Sequence, residues 1–330
     1  MSRIIAYKHK LFYNRRMEFI EFEAKEDDDG RRLDKAAKRI FESKGLQPEN
    51  IFKLIRKTLI KLNNVKSAPE DRIKSGDKIF IADFLLKENA ARKSKTEKKS
   101  TQKIHGDISL QTAFKNEHLW IINKQSGIEV QPSKNSSFCL ADFVAQNTKT
   151  ASLSFRPGPL HRIDKFTTGL ITFSQSLQGA KWFSENIKNH SIKKTYLAVV
   201  ENFLPENELA IYDTIEEKTA CTKIKKIAQG IFCGKEISLA KIQIETGRKH
   251  QIRIHCASRG FPLLGDKLYG GTKIPNGEFS SCGFFLHAWK LEFPKDNPLL
   301  LPSEIQAKIS PLFKKFIENF LKIPTAEFII

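Results

Sequence analysis

Three stretches of the chain crowd ionisable side chains among apolar ones, each where an element should begin or end. In GPLHRIDKFTTGLITF, Gly158-Pro159 opens a turn, His161, Arg162 and Asp164 follow closely, and Gly169 leads into an apolar run. A carboxylate on a loop beside Arg and Lys stays ionised, because neighbouring positive charge favours the charged form. Such an Asp can serve as a nucleophile or simply cap its turn. The second stretch, IETGRKHQIRIHCASRGFPLLGDKLYGG, leaves a strand through Thr246-Gly247 and enters a helix carrying His250 and Arg253 one turn apart. It exits through two glycine-rich turns. In the third, KKTYLAVV, Tyr196 interrupts an otherwise apolar strand, where packing is the usual role. His250 and His255 are spaced five apart rather than four, so they do not share a helix face as zinc-ligand pairs do. Cys139, Cys221, Cys233, Cys256 and Cys282 include no CxxC pair, and reduced, structural thiols without a metal are expected.

The elements that hold these stretches fall into two parts. Residues about 17–29, in the stretch MEFIEFEAKEDDDG that begins at Met17, suggest a strand running into an acidic turn. In RRLDKAAKRIFESKG, Leu33, Ala36, Ala37, Ile40 and Phe41 keep helical spacing and Gly45 stands where a C-terminal cap belongs. Pro48 is expected to open a second helix, PENIFKLIRK, with Ile51, Leu54 and Ile55 inward and Lys53, Arg56 and Lys57 outward. Two strands, around TLIKLN and DKIFIADF, follow between turn signals. From Lys87 to Lys103 the chain holds seven Lys or Arg and two Glu with almost nothing apolar, the composition of a linker. Beyond it, the strands HLWIINK, KTYLAVV, ISLAKIQIE and FFLHAWKLEF alternate with helices LQGAKWFSENIKNH and LPSEIQAKISPLFKKFIENFLK without regular βαβ spacing. An α+β domain around a mixed or antiparallel central sheet is therefore expected.

The front part, over about residues 30–83, is similar to the small RNA-binding module of a small-subunit ribosomal protein, the S-four-like domain. That resemblance implies an α/β-hairpin domain whose basic helix faces the RNA backbone, with Lys53, Arg56, Lys57 and Lys61 as phosphate contacts. A solvated helix face is the plain alternative for the same residues.

The later part resembles the RluA family of pseudouridine synthases. That family carries HRLDxxTSGL, KxYxAxV, TGRTHQIRxHxxxxGxPxxGDxxYG and LHAxxLxF in that order. Here the same order reads HRIDKFTTGL, KTYLAVV, TGRKHQIRIHCASRGFPLLGDKLYGG and LHAWKLEF. With INKQSGIEVQP upstream, similar to NKPxGxxVHP, the resemblance spans about residues 115–294. It implies isomerisation of uridine within RNA: the N-glycosidic bond is cut, the uracil turns in place, and it rejoins through carbon. Asp164 stands where the family's nucleophile does, to act at the ribose by attack on the anomeric carbon or by proton abstraction that gives a glycal. Arg253 matches the basic partner of that Asp, and Tyr196 the tyrosine that stacks on uracil and helps remove the carbon 5 proton. Arg162 matches the arginine that fills the gap left by an extruded nucleotide, and Arg248 and His250 are carried over as RNA or pocket contacts. No cofactor and no catalytic metal are implied. Thr168, Gln125, Lys249 and Gln131 depart from the usual Ser, Pro, Thr and His, and FPKD follows the last motif in place of His-Pro.

Lys and Arg total 56 against 37 Asp and Glu in 330 residues, a formal charge of +19, which favours a polyanionic partner. No run approaches the roughly 18 apolar residues of a spanning helix, and MSRIIAYKHK lacks the apolar core of a secretory signal. A cytoplasmic monomer acting on RNA, without membrane partners, is expected. Large-subunit ribosomal RNA is the expected substrate because the front module is typical of family members acting on it; tRNA, or a non-catalytic assembly role, are the alternatives. The expected organisation is an extension over 1–29, the S-four-like domain over 30–86, a basic linker over 87–105 and the pseudouridine synthase domain over 106–330.

Overall fold

The computed structural model describes residues 17–48, 50–87, 110–132, 138–148, 152–321 and 323. They divide into two units, one within 1–103 together with 150–156, the other within 104–149 and 157–330.

In the first unit, β1 (Phe19–Glu23), β3 (Lys78–Ala82) and β2 (Ile60–Leu62) form an antiparallel sheet in that spatial order. Residues 19–23 are thus part of the sheet rather than an extension ahead of it, because their alternating side chains pair along the whole of β3. Helix α1 (Leu33–Ser43) buries Leu33, Ala36, Ala37, Ile40 and Phe41 against Ile55, Ile60, Ile79 and Ile81. It ends as its sequence requires: Gly45 takes a φ of +70°, and the N–H groups of Gly45 and Leu46 donate to the carbonyls of Glu42 and Phe41. Helix α2 (Ile51–Arg56) starts later than Pro48, because the Asn50 side chain accepts from the Lys53 N–H at 2.9 Å and fixes the cap there. The Asp28 carboxylate is fully buried and accepts from the N–H groups of Lys25, Leu153 and Ser154 and the hydroxyls of Ser152 and Ser154. Burial alone would raise its pKa, but these donors outweigh burial and hold it below the usual range. They also tie 152–154 into this unit, although the sequence reading assigned that segment to the later domain. Beyond Lys87, the expected linker lies outside the described residues.

The second unit is built on a mixed sheet. Strands β4 (Gln111–Lys115), β5 (Leu119–Lys124), β6 (Thr168–Ser174), β13 (Leu286–Glu292), β7 (Lys193–Glu201), β12 (Lys235–Ile244), β11 (Thr222–Phe232) and β8 (Leu209–Ile211) lie side by side in that order. The short pair β9 (Thr214–Ile215) and β10 (Lys218–Thr219) stands apart, and β14 (Glu304–Gln306) adds along β13. Among the described residues, β13 and β6 are the only strands of this sheet that pair in parallel. Side chains alternate along β7, so Tyr196, Ala198 and Val200 face a core shared with α3 (Leu140–Asn147) and α5 (Gln251–Ser258). Leu197 and Val199 face the opposite core, with α6 (Pro311–Phe320), and α4 (Leu177–Lys188) contributes Phe183 to a further cluster. The expected C-terminal helix is shorter than its pattern, because Ser310 caps α6 and Pro311, lacking an N–H, occupies its first turn. Residues 304–306 upstream extend the sheet instead.

Candidate active site

The three sequence stretches converge on the face of the sheet that carries Tyr196. The loop before β6 is closed by the Thr167 N–H donating to the Asp164 carbonyl at 3.1 Å. Its Lys165 carbonyl accepts both from the Gly127 N–H at 3.0 Å and from Lys124 Nζ at 2.8 Å. Ile163 is buried in the core, while Arg162 and Asp164 on either side keep some exposure. Where β6 meets β13, Gly169 has a φ of +98°, and a Cβ there would stand 2.2 Å from the Ala288 carbonyl oxygen. No other residue fits, and that close approach sets where the Asp164 loop leaves the sheet.

Helix α5 enters from a sharp corner. His250, its N-cap, takes a left-handed φ of 55° rather than lying inside the helix, so of the two expected residues Arg253 is the one within its first turn. The buried Gln251 amide anchors the corner: its Oε1 accepts from Thr246 Oγ1 and the Arg248 N–H, and its Nε2 donates to the Cys221 carbonyl and Thr222 Oγ1.

Arg253 Nη1 donates to Asp164 Oδ2 at 3.0 Å. Its guanidinium also lies 4.9 Å from the Tyr269 ring centroid and 4.7 Å from that of Phe284. Burial alone would pull the arginine down, but hydrogen bonds and charge from Asp266 and Asp164 outweigh it, so the cation is secure. His250 Nε2 stands 3.6 Å from Asp164 Oδ1, too far for a hydrogen bond, and its Nδ1 is 2.8 Å from the Tyr269 hydroxyl. Burial, aided by Arg253 and Lys249, holds His250 below its ordinary value against the opposing pull of Asp164. Tyr196 is pushed up, first by burial and then by the Asp164 charge, so its phenol keeps its proton. His161 has another part to play: its Nε2 accepts from the Thr172 N–H at 3.0 Å and its ring stacks on Phe183. Burial pulls it down to about 3, which makes it a neutral strut under the loop.

Asp164, Tyr196, Arg253, Arg162, Arg248 and His250 all line one cavity of about 320 Å³. A second cavity of about 450 Å³ shares Arg162, Asp164, His250 and Arg253 and is completed by Glu129, Gln131 and Phe166, so Asp164 stands between the two. In the first unit, Lys53, Arg56 and Lys57 are exposed and make no ion pair with a described residue. Lys61 is half-buried, its Nζ 3.3 Å from Asn64 Oδ1 and 4.2 Å from the Phe19 ring centroid.

Three contributors lay within the matched motifs without being assigned a role. Asp266 sits in what looked like a glycine turn, Tyr269 in the same segment, and Lys124 at the polar end of a strand. Among the described residues no group of three His, Cys, Asp or Glu side chains is placed to hold a metal ion, and no helix is long and apolar enough to cross a membrane.

A family model described as RNA pseudouridylate synthase matches residues 118–258. An uncharacterized RNA pseudouridine synthase of Synechocystis sp. is 32% identical over 202 residues, covering 56% of this chain and 68% of that one. A ribosomal large subunit pseudouridine synthase D of Xylella fastidiosa is 26% identical over 289 residues, 80% of this chain and 81% of that one. Among solved structures, human RNA pseudouridylate synthase domain containing 4 superposes with a TM-score of 0.50 at 20% identity, over 63% of this chain and 92% of that one, which shows a shared fold.

Proposed function

The chain belongs to the RluA family of RNA pseudouridine synthases, and on that premise we propose that it isomerises uridines of large-subunit ribosomal RNA with Asp164 acting at the ribose. The observation that carries this reading is the Asp164–Arg253 contact of 3.0 Å at the edge of a cavity walled by Tyr196. Its volume, about 320 Å³, is near the lower end of ligand pockets, which run from roughly 300 to 1,000 Å³, and suits a single extruded nucleotide.

The chemistry follows from what each group can do. Extruding a stacked uridine costs about a few kcal/mol, and the exposed guanidinium of Arg162 stacks into the gap it leaves. Asp164, paired with and aimed by Arg253, then attacks C1′ or takes the C2′ proton. Tyr196, a neutral phenol at this site, is a flat wall for the uracil ring while it turns. Arg248 and His250 complete the pocket rim.

The large-subunit substrate is supported by the Xylella relative, a ribosomal large subunit pseudouridine synthase that matches 80% of this chain. The first unit, read as an S-four-like domain, grips RNA phosphates through Lys53, Arg56 and Lys57, with Lys61 beside them; the exposure of the first three supports this.

The test is tritium release from RNA labelled at uracil carbon 5, with large-subunit rRNA and tRNA transcripts offered to wild type and Asp164→Asn. Release from rRNA by wild type, none by the variant, and RNA affinity within a few-fold for both is the expected result. Release by Asp164→Asn would overturn the assignment of the nucleophile, release from tRNA alone would reassign the substrate, and intact binding without release would favour an assembly role.

A further inference from the structure

The same cavity holds a cation that the mechanism above leaves unused. Lys194 precedes Tyr196 by two residues on β7, so both side chains project from the same face of the sheet. It is buried and lines the cavity with Asp164, Tyr196 and Arg253. Its Nζ donates to the Thr246 carbonyl at 3.2 Å and approaches that of Glu245 at 3.5 Å, and among the described residues no carboxylate lies within ion-pair distance. Every other buried cation at this site is compensated differently: Arg253 has two carboxylates, whereas Lys124 feels the charge of Asp164. Burial alone acts on Lys194, pulling it down to about 8, so it remains mostly an ammonium at neutral pH. An ammonium has three donors and two carbonyls cannot neutralise it. A buried charge left without a counterion is costly, and a ligand that brings or develops negative charge in the cavity would remove that cost.

The reaction develops such a charge. When the C1′–N1 bond breaks, its electron pair leaves with the base, and the uracil carries a negative charge spread over N1, O2 and O4. The charge disappears when carbon 5 bonds C1′, after which carbon 5 loses its proton and N1 gains one. We propose that Lys194 is a catalytic residue that donates a hydrogen bond to an oxygen of the detached uracil anion, stabilising it between bond cleavage and reattachment. This rests on the isomerase reading and adds a group that acts on the departing base, where Asp164 acts on the ribose. Lys194 keeps its proton throughout; it acts by charge and donation, in the manner of an oxyanion-hole donor.

The experiment compares wild type, Lys194→Met and Lys194→Gln under single-turnover conditions, on large-subunit rRNA transcripts made with uridine or with 5-fluorouridine. Formation of the carbon-linked nucleoside is read chromatographically from nuclease digests, and RNA affinity is measured separately. Fluorine at carbon 5 makes the departing anion intrinsically more stable, so it lessens the need for Lys194. On uridine RNA both variants should slow by about 10²-fold, the scale of losing one preorganised donor, with affinity within about threefold of wild type. On 5-fluorouridine RNA the deficit should shrink to less than about tenfold. That ratio is internal to each variant and does not depend on how much of it is folded. An equal deficit on both RNAs would overturn the proposal in favour of a structural role. A loss of affinity matching the loss of rate would make Lys194 a phosphate contact, and a wild-type rate in the variants would dismiss it altogether. Were wild type itself inactive on every RNA, the isomerase reading would fall first and this inference with it.

Discussion

Asp266 grips Arg253 along one edge of the guanidinium, with Nε donating to Oδ2 at 2.6 Å and Nη2 to Oδ1 at 2.7 Å, and so leaves only Nη1 to reach Asp164. Such a fork fixes both the plane and the rotation of the arginine. Asp266 is 2% exposed, so it is shielded from competing solvent, whereas the Asp164 side chain keeps 19% exposure toward the cavities. One cation is thus shared between two carboxylates of different duty: the buried one holds the arginine, and the accessible one is held by it without being fully neutralised.

Replacing Asp266 by Asn therefore disturbs catalysis without touching substrate. The amide would face the Arg253 Nε–H with a donor, and the arginine would be free to swing or to bind Asp164 alone. Turnover should fall by about 10²-fold, the cost of a misplacement near 1 Å, while RNA affinity stays within about threefold. Breaking a buried pair on one side should also cost roughly 3–5 kcal/mol of stability. Single-turnover rates, binding curves and urea melts on the same preparations check all three. A wild-type rate in a destabilised variant would mean that Asp266 serves the fold alone.

Lys124 makes a pH prediction with a definite sign. It is 1% exposed and donates to the Gln125 and Lys165 carbonyls, at 2.9 and 2.8 Å. Burial, only partly opposed by Asp164, pulls it from 10.5 down to about 7. Between those values the unfolded chain binds a proton that the folded chain has largely released. Its contribution to stability accordingly rises with pH through that window, by up to about 1.4 kcal/mol per unit, and is lost as pH falls toward the folded value. Lys124→Met has no such titration. The difference in unfolding free energy between wild type and variant should shift in favour of wild type from about pH 7 to about pH 9. Denaturant melts across that range measure it, and parallel pH curves would show that Lys124 is not held this way.

What was legible in the sequence, and what was not, follows the range of the interaction. The α1 stripe and its Gly45 cap, the alternation along β7, and the grouping of His161 through Gly169 are local patterns, each set by spacing within one or two turns. The mixed sheet could be expected as a class, but not its order, since the parallel pairing of β6 with β13 joins segments more than a hundred residues apart. Asp266 was hidden for the same reason. Beside Gly265 and Gly270 it has the sequence character of a turn residue, and only the fold brings it to Arg253. Lys124 lay inside the INKQSGIEVQP match without a role of its own, because nothing in the local sequence shows that a lysine at a strand end is buried against main-chain carbonyls. The C-terminal region misled through pattern alone: its apolar spacing continues upstream of Pro311, but the backbone there pairs with β13.

The first unit offers a prediction that separates gripping from chemistry. Lys53, Arg56 and Lys57 are exposed on and just beyond α2 and make no ion pair with a described residue, so their removal should leave the core formed by Ile51 and Ile55 intact. Changing all three to Gln should lower RNA affinity and flatten its salt dependence. Each lost phosphate contact reduces the slope of log affinity against log salt by about 0.7 to 0.9, so three contacts should reduce it by roughly two to three. The single-turnover rate at saturating RNA should remain within about twofold of wild type, because none of the three lines the Asp164 cavity. Titrations at several salt concentrations give the slope directly. An unchanged slope would mean that the basic helix is merely a solvated face, and that the grip on RNA lies elsewhere in the chain.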